Sequence, residues 1–105
     1  MSEKNLSSQQ EYIEKILLLI DELKIEIYNS KQLKIDTKLM EFVEVYIGFT
    51  SKFQKEIADN EYMDINSMNQ VLLKIEEVLR TKDYVILADL LLYQLGPMLQ
   101  ENLNQ

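Results

Sequence analysis

Apolar positions recur along this chain at alternating intervals of three and four, in four separate stretches. The first runs through Ile13, Ile16, Ile20, Leu23 and Ile27, and the second through Leu39, Phe42, Tyr46, Phe49 and Phe53. The third runs through Ile65, Met68, Leu72, Ile75 and Leu79, and the fourth through Val85, Ala88, Leu92, Leu95 and Leu99. This spacing keeps pace with a helical turn, so each series lines one face of a helix. Alternation of period two is scarce, and 2 glycines and 1 proline leave little material for hairpins. The pattern predicts an all-α fold, an antiparallel up-down four-helix bundle. One domain is expected over residues 1–105, with helices at roughly 8–28, 37–58, 65–80 and 84–103.

Signals at the predicted ends agree with these spans. Ser8 and Glu11 have capping-box spacing, in which each side chain satisfies a free N–H of the first turn. Asp36 is placed to cap the second helix, with Ile35 and Met40 as a hydrophobic staple, and Asp64 to cap the third, with Met63 and Met68 in the same relation. Asp83 is placed to cap the fourth. Arg80 and Lys82 fall where positive charge suits the C-terminal end of the third helix dipole. Lys31, Lys34 and Lys38, interrupted by Asp36, are expected in a solvated loop. Gly48, within VYIGFTSKF, predicts close approach of a neighbouring helix, helped by Ser51.

The fourth segment, DYVILADLLLYQLGPML, is apolar on nearly every side. Its core-facing set is expected to be Tyr84, Val85, Ala88, Leu91, Leu92, Leu95 and Leu99. A second stripe, Ile86, Leu90, Tyr93 and Pro97, runs along the opposite face and with Leu87 forms the expected partner interface. A helix apolar all round is usually covered on both sides, and an exposed patch of a few hundred Å2 marks an interaction site. The stripe therefore meets the rest of the chain, a second copy or another protein. Leu18 and Ile25, seven apart on the outer face of the first helix, extend it. Asp89 sits at the edge of the core stripe. If buried, it needs a tyrosine, a lysine or a free helix end as partner; if functional, it is a polar anchor for a partner or ligand. Pro97, preceded by Gly96, predicts a kink or break.

Composition narrows the chemistry. The 105 residues contain no histidine and no cysteine. That leaves no Ser-His-Asp or Cys-His catalysis, no usual zinc site, no His-ligated haem and no Glu-x-x-His di-iron pair. No glycine-rich phosphate loop is present. DNEYMDINSMNQ, Asp59 to Gln70, fails as a calcium loop: Met63 takes a ligand position, Asp64 stands where the turn needs glycine, and Gln70 replaces the bidentate glutamate. The carboxylate pairs Glu41/Glu44, Asp21/Glu22 and Glu76/Glu77 read as solvated helix faces. No catalytic residue, metal or cofactor is expected. A net charge of −7 disfavours nucleic acid and anionic membranes as partners. The stretch from Tyr84 to Leu99 is short for a membrane span and contains Asp89, Gln94 and Pro97. The start, Met-Ser-Glu-Lys-Asn, lacks the apolar run of a signal peptide. A cytoplasmic location is the expectation.

Lys82-Asp83-Tyr84-Val85, then Leu87-Ala88-Asp89, then Tyr93, Leu95 and Pro97 resemble the C-terminal signature of a family of small uncharacterised Firmicutes all-helical proteins. The resemblance covers the last quarter of the chain and implies no known activity. A looser likeness in size, acidity and helix content is to flagellar and secretion export chaperones. The expected function is non-enzymatic: protein–protein interaction or self-association through the second stripe of helix four. The alternatives are a chaperone or adaptor holding an amphipathic client helix, and a carboxylate-based ligand binder or enzyme centred on Asp89.

Overall fold

The computed structural model describes residues 2–29, 32–61 and 63–103. Among these, every regular element is helical: α1 (Ser2–Tyr28), α2 (Gln32–Lys52), α3 (Gln54–Ala58), α4 (Ile65–Thr81), α5 (Tyr84–Leu90), a π turn (Leu91–Leu95) and α6 (Gly96–Leu103). α3 continues α2 after a hitch at Phe53, where the backbone turns to φ −112° and ψ 28°. α5, the π turn and α6 follow one another without a gap. The segments therefore make four rods, and the last is called helix four below.

Side-chain pairs fix their directions. Lys38 Nζ donates to Glu22 Oε2 at 2.6 Å, and Lys52 Nζ to the Ser8 hydroxyl at 3.5 Å, so α1 and α2 are antiparallel. The Tyr84 hydroxyl donates to Asp36 Oδ1 at 2.7 Å, which starts helix four beside the beginning of α2. The Asp64 N–H meets Met98 Sδ at 3.5 Å, which starts α4 beside the far end of helix four. Successive rods alternate in direction, an antiparallel four-helix bundle. Its long dimension of 43 Å matches the ~40 Å that a helix the length of α1 spans at ~1.5 Å per residue.

Among the described residues, the buried side chains of the core are all apolar or aromatic. Every member of the first two stripes, from Ile13 to Ile27 and from Leu39 to Phe53, is buried. Tyr46 is the polar exception in shape only: its hydroxyl donates to the Met68 carbonyl at 2.7 Å and ties α2 to α4. That bond matters because a buried hydroxyl without a partner is costly. Tyr12, Phe49 and Phe53 cluster at the other end of the α1–α2 pair, with the Tyr12 and Phe53 rings edge to face at 5.7 Å. Lys52 Nζ lies 5.6 Å from both of those ring centres.

Several sequence expectations are corrected here. α1 begins at Ser2, so Ser8 and Glu11 lie inside the helix and form no capping box. α2 begins at Gln32, so Lys34, Asp36 and Lys38 are helical, not in a loop; Lys31 lies outside the described residues. Asp36 therefore caps nothing, and Met40 is exposed while Ile35 is buried, so the pair is no staple. Asp64 does cap α4, accepting from the Asn66 N–H at 3.1 Å, with Met63 and Met68 both buried beside it. Asp83 precedes α5 but its side chain makes no capping bond. The buried ladder of α4 is Met68, Val71, Ile75 and Val78, whereas Leu79, expected inside, is exposed.

Candidate interaction surface

Helix four turns on the Gly96-Pro97 pair. Proline has no N–H to give the carbonyl four residues back, and its ring crowds that carbonyl. The rod neither breaks nor stops there. Instead the Gly96 N–H bonds the Leu91 carbonyl, five residues back, and the turn widens by one residue. The widening also solves a packing problem. Leu91, Leu95 and Leu99 are spaced four apart and all are buried. In an unbroken α-helix each step of four overshoots the face by about 40°. One π turn takes up that excess and keeps the three leucines inward. The core face of helix four is thus Tyr84, Leu87, Ala88, Leu91, Leu95 and Leu99.

That face differs from expectation at two places that matter for the surface. Leu87, expected at the partner interface, is 0% exposed and belongs to the core. Val85, expected in the core, is 60% exposed. The two apolar registers differ by one or two residues, and only packing against α1 and α4 selects between them. The rest of the outer stripe lies as follows. Tyr93 is 75% exposed and Ile86 44%. Pro97 is exposed and Leu90 half-buried. Asp89 is exposed, so its charge is hydrated and needs no buried partner. The buried-edge role foreseen for Asp89 is filled elsewhere by Asp36, which accepts the Tyr84 hydroxyl and stands 4.0 Å from Lys82 Nζ.

Pro97 also borders a groove along the seam of α1 and helix four. Leu17, Ile20 and Asp21 form one wall, and Leu92, Gly96 and Pro97 belong to the other. The seam fixes what lies beside it. On α1, Asp21 is three residues from Leu18 and four from Ile25, so these neighbour it on the helix surface; they are 58% and 53% exposed. On helix four, Asp89, Tyr93 and Pro97 follow at intervals of four and lead from the groove over the outer face. Six of the ten exposed large apolar side chains among the described residues lie on α1 and helix four: Leu18, Ile25, Tyr28, Val85, Ile86 and Tyr93. Their concentration makes this two-helix face the candidate site.

Other concavities are surface depressions as open as this groove. Glu11, Tyr12, Lys15, Glu44, Val45 and Gly48 line one between α1 and α2, and Glu41 and Glu44 border another with Met40 and Ile47. Among the described residues, no group of three acidic side chains is placed to hold a metal ion. No helix among the described residues is long and apolar enough to cross a membrane.

A family profile described as a domain of unknown function, DUF8042, matches residues 5–105. The chain belongs to this family. The match spans all four rods, so the kinship extends well beyond the last quarter. Neither a curated protein nor a solved structure matches the chain.

Proposed function

We propose that this DUF8042 chain is a non-enzymatic protein-binding module whose docking face is the outer surface of helix four together with the adjoining face of α1. One observation carries the reading: six of the ten exposed large apolar side chains among the described residues lie on these two rods, which flank a groove shaped by a π turn. π turns are enriched at functional sites, and a contiguous apolar patch on a small domain marks an interaction surface. A second copy of the chain is an alternative occupant of the same face. The lack of cysteine suits a reducing compartment, and the cytoplasm is the proposed place of action.

A selection of displayed helical peptides against the folded chain tests this. Selected peptides should bind the wild type and lose at least about ten-fold in affinity on Tyr93→Asp. Leu73→Asp, on the exposed side of α4, should leave them unaffected. Solution mass by light scattering, measured on the same variants, reports self-association. Peptide binding and mass both insensitive to Tyr93→Asp would refute the docking face.

A further inference from the structure

We infer that the occupant of this face is a cationic amphipathic helix from another protein, an inference that rests on the docking reading above. The apolar part of the face is a groove between two antiparallel rods, a shape that receives one more helix through side chains at i, i+3, i+4 and i+7. The charge along it is predominantly negative. From Asp83 to Gln105 the chain contains no lysine or arginine. Asp21 stands on the α1 wall of the groove and Asp89 on the outer face of helix four, both exposed. On α1, Lys15 lies instead in the depression on the α2 side. Lys38 is drawn to Glu22 at the α1–α2 seam. Lys24, seven residues on from Leu17 and four from Ile20, is the cation on the groove side of α1; Glu14, beside Leu17 and Leu18, joins Asp21 and Asp89, so acidic side chains outnumber it around the apolar surface.

This charge pattern also selects against the other obvious occupant. A two-fold dimer through this face would bring the same acidic side chains of two copies together, each copy carrying a net charge of −7. Like charges across an interface oppose association. A helix with leucines on one side and lysines or arginines flanking them meets both the groove and its acidic rim.

The test uses two synthetic helical peptides with identical leucine faces, one bearing lysines and the other glutamates at the flanking positions. Binding to the full chain is followed by fluorescence anisotropy to roughly millimolar concentration, and solution mass by sedimentation. The lysine peptide should bind one to one, about ten-fold or more tighter than the glutamate peptide, and weaken as salt is raised. Asp21→Asn with Asp89→Asn should remove most of that preference, and Tyr93→Asp should abolish binding. Equal binding of the two peptides, still lost on Tyr93→Asp, would overturn the charge inference and leave the docking face standing. So would a stable dimer that Tyr93→Asp dissociates, since the occupant would then be a second copy. No binding of either peptide, with a monomer throughout, would overturn both.

Discussion

A β-carbon at Gly96 would lie 3.0 Å from the carbonyl oxygen of Leu91, the same oxygen that accepts the Gly96 N–H across the π turn. The contact is with backbone, which cannot rotate aside. Alanine is ordinarily the better helix former by about 1 kcal/mol, yet here Gly96→Ala should destabilise the chain, by roughly 1–2 kcal/mol as the widened turn shifts. A lowered urea midpoint with an unchanged slope is the expected result.

The other helical glycine behaves in the opposite sense. At Gly48 an added β-carbon meets only Tyr12 Cε1, at 3.8 Å, an ordinary van der Waals distance. The close helix approach expected from the sequence is not tight enough to exclude a methyl group. Gly48→Ala should therefore stabilise by up to about 1 kcal/mol, through helix propensity and a less flexible unfolded chain. Thermal melts of the two alanine variants should move apart, Gly48→Ala above the wild type and Gly96→Ala below it.

These two sites show what the sequence could and could not reveal. Where polar and apolar residues contrast sharply, as along Ile13–Ile27 and Leu39–Phe53, the 3-4 spacing identified the buried face. In α4 two ladders share Met68 and Ile75, one through Leu72 and Leu79 and one through Val71 and Val78. Periodicity does not distinguish them, and packing chose the valines. Helix four is apolar on every side, so Leu87 and Val85 were exchanged between core and surface. The outer positions Ile86, Tyr93 and Pro97 were legible, and so was a disturbance at Pro97. Its form was not, because a π turn depends on where the inward leucines must point. Asp36 has the spacing of a cap for a helix starting at residue 37; the earlier start at Gln32 places it inside α2, and the tertiary approach of Tyr84 gives it a different role.

The exchange within helix four can be measured directly. Leu87→Ala removes a fully buried side chain and should cost about 2–5 kcal/mol. Tyr93→Ala, at the most exposed large apolar position among the described residues, should change stability by no more than about 0.5 kcal/mol. Chemical denaturation of both variants sorts the core face of helix four from its docking face, independently of any partner.

Tyr84 links stability to alkaline pH. Burial first, and then the hydrogen bond to the Asp36 carboxylate, push its phenol from 10.0 up to about 12. The folded state therefore holds the proton after the unfolded chain has released it. This contribution is fully present below pH ~10 and is lost as pH rises through about 12. Tyr46, raised by burial, acts in the same direction. The denaturant midpoint should fall steeply across that window, and Tyr84→Phe should flatten the fall. At neutral pH the same variant should lose about 1 kcal/mol with the hydrogen bond.

Lys82 ends α4 in the left-handed conformation, with φ 64° and ψ 23°, and its N–H bonds the Val78 carbonyl at 2.6 Å. It is the one non-glycine with positive φ among the described residues. A β-carbon is disfavoured in that conformation, which glycine adopts freely. Lys82→Gly should therefore stabilise the hairpin between α4 and helix four by about 1 kcal/mol. The substitution also removes the approach of Lys82 to Asp36, but at 4.0 Å, with the two side chains 50% and 37% exposed, that pair contributes little. Lys82→Ala separates the two effects, since it loses the ion pair and keeps the strained backbone. Thermal denaturation should rank the glycine variant above the wild type and the alanine variant level with it or slightly below.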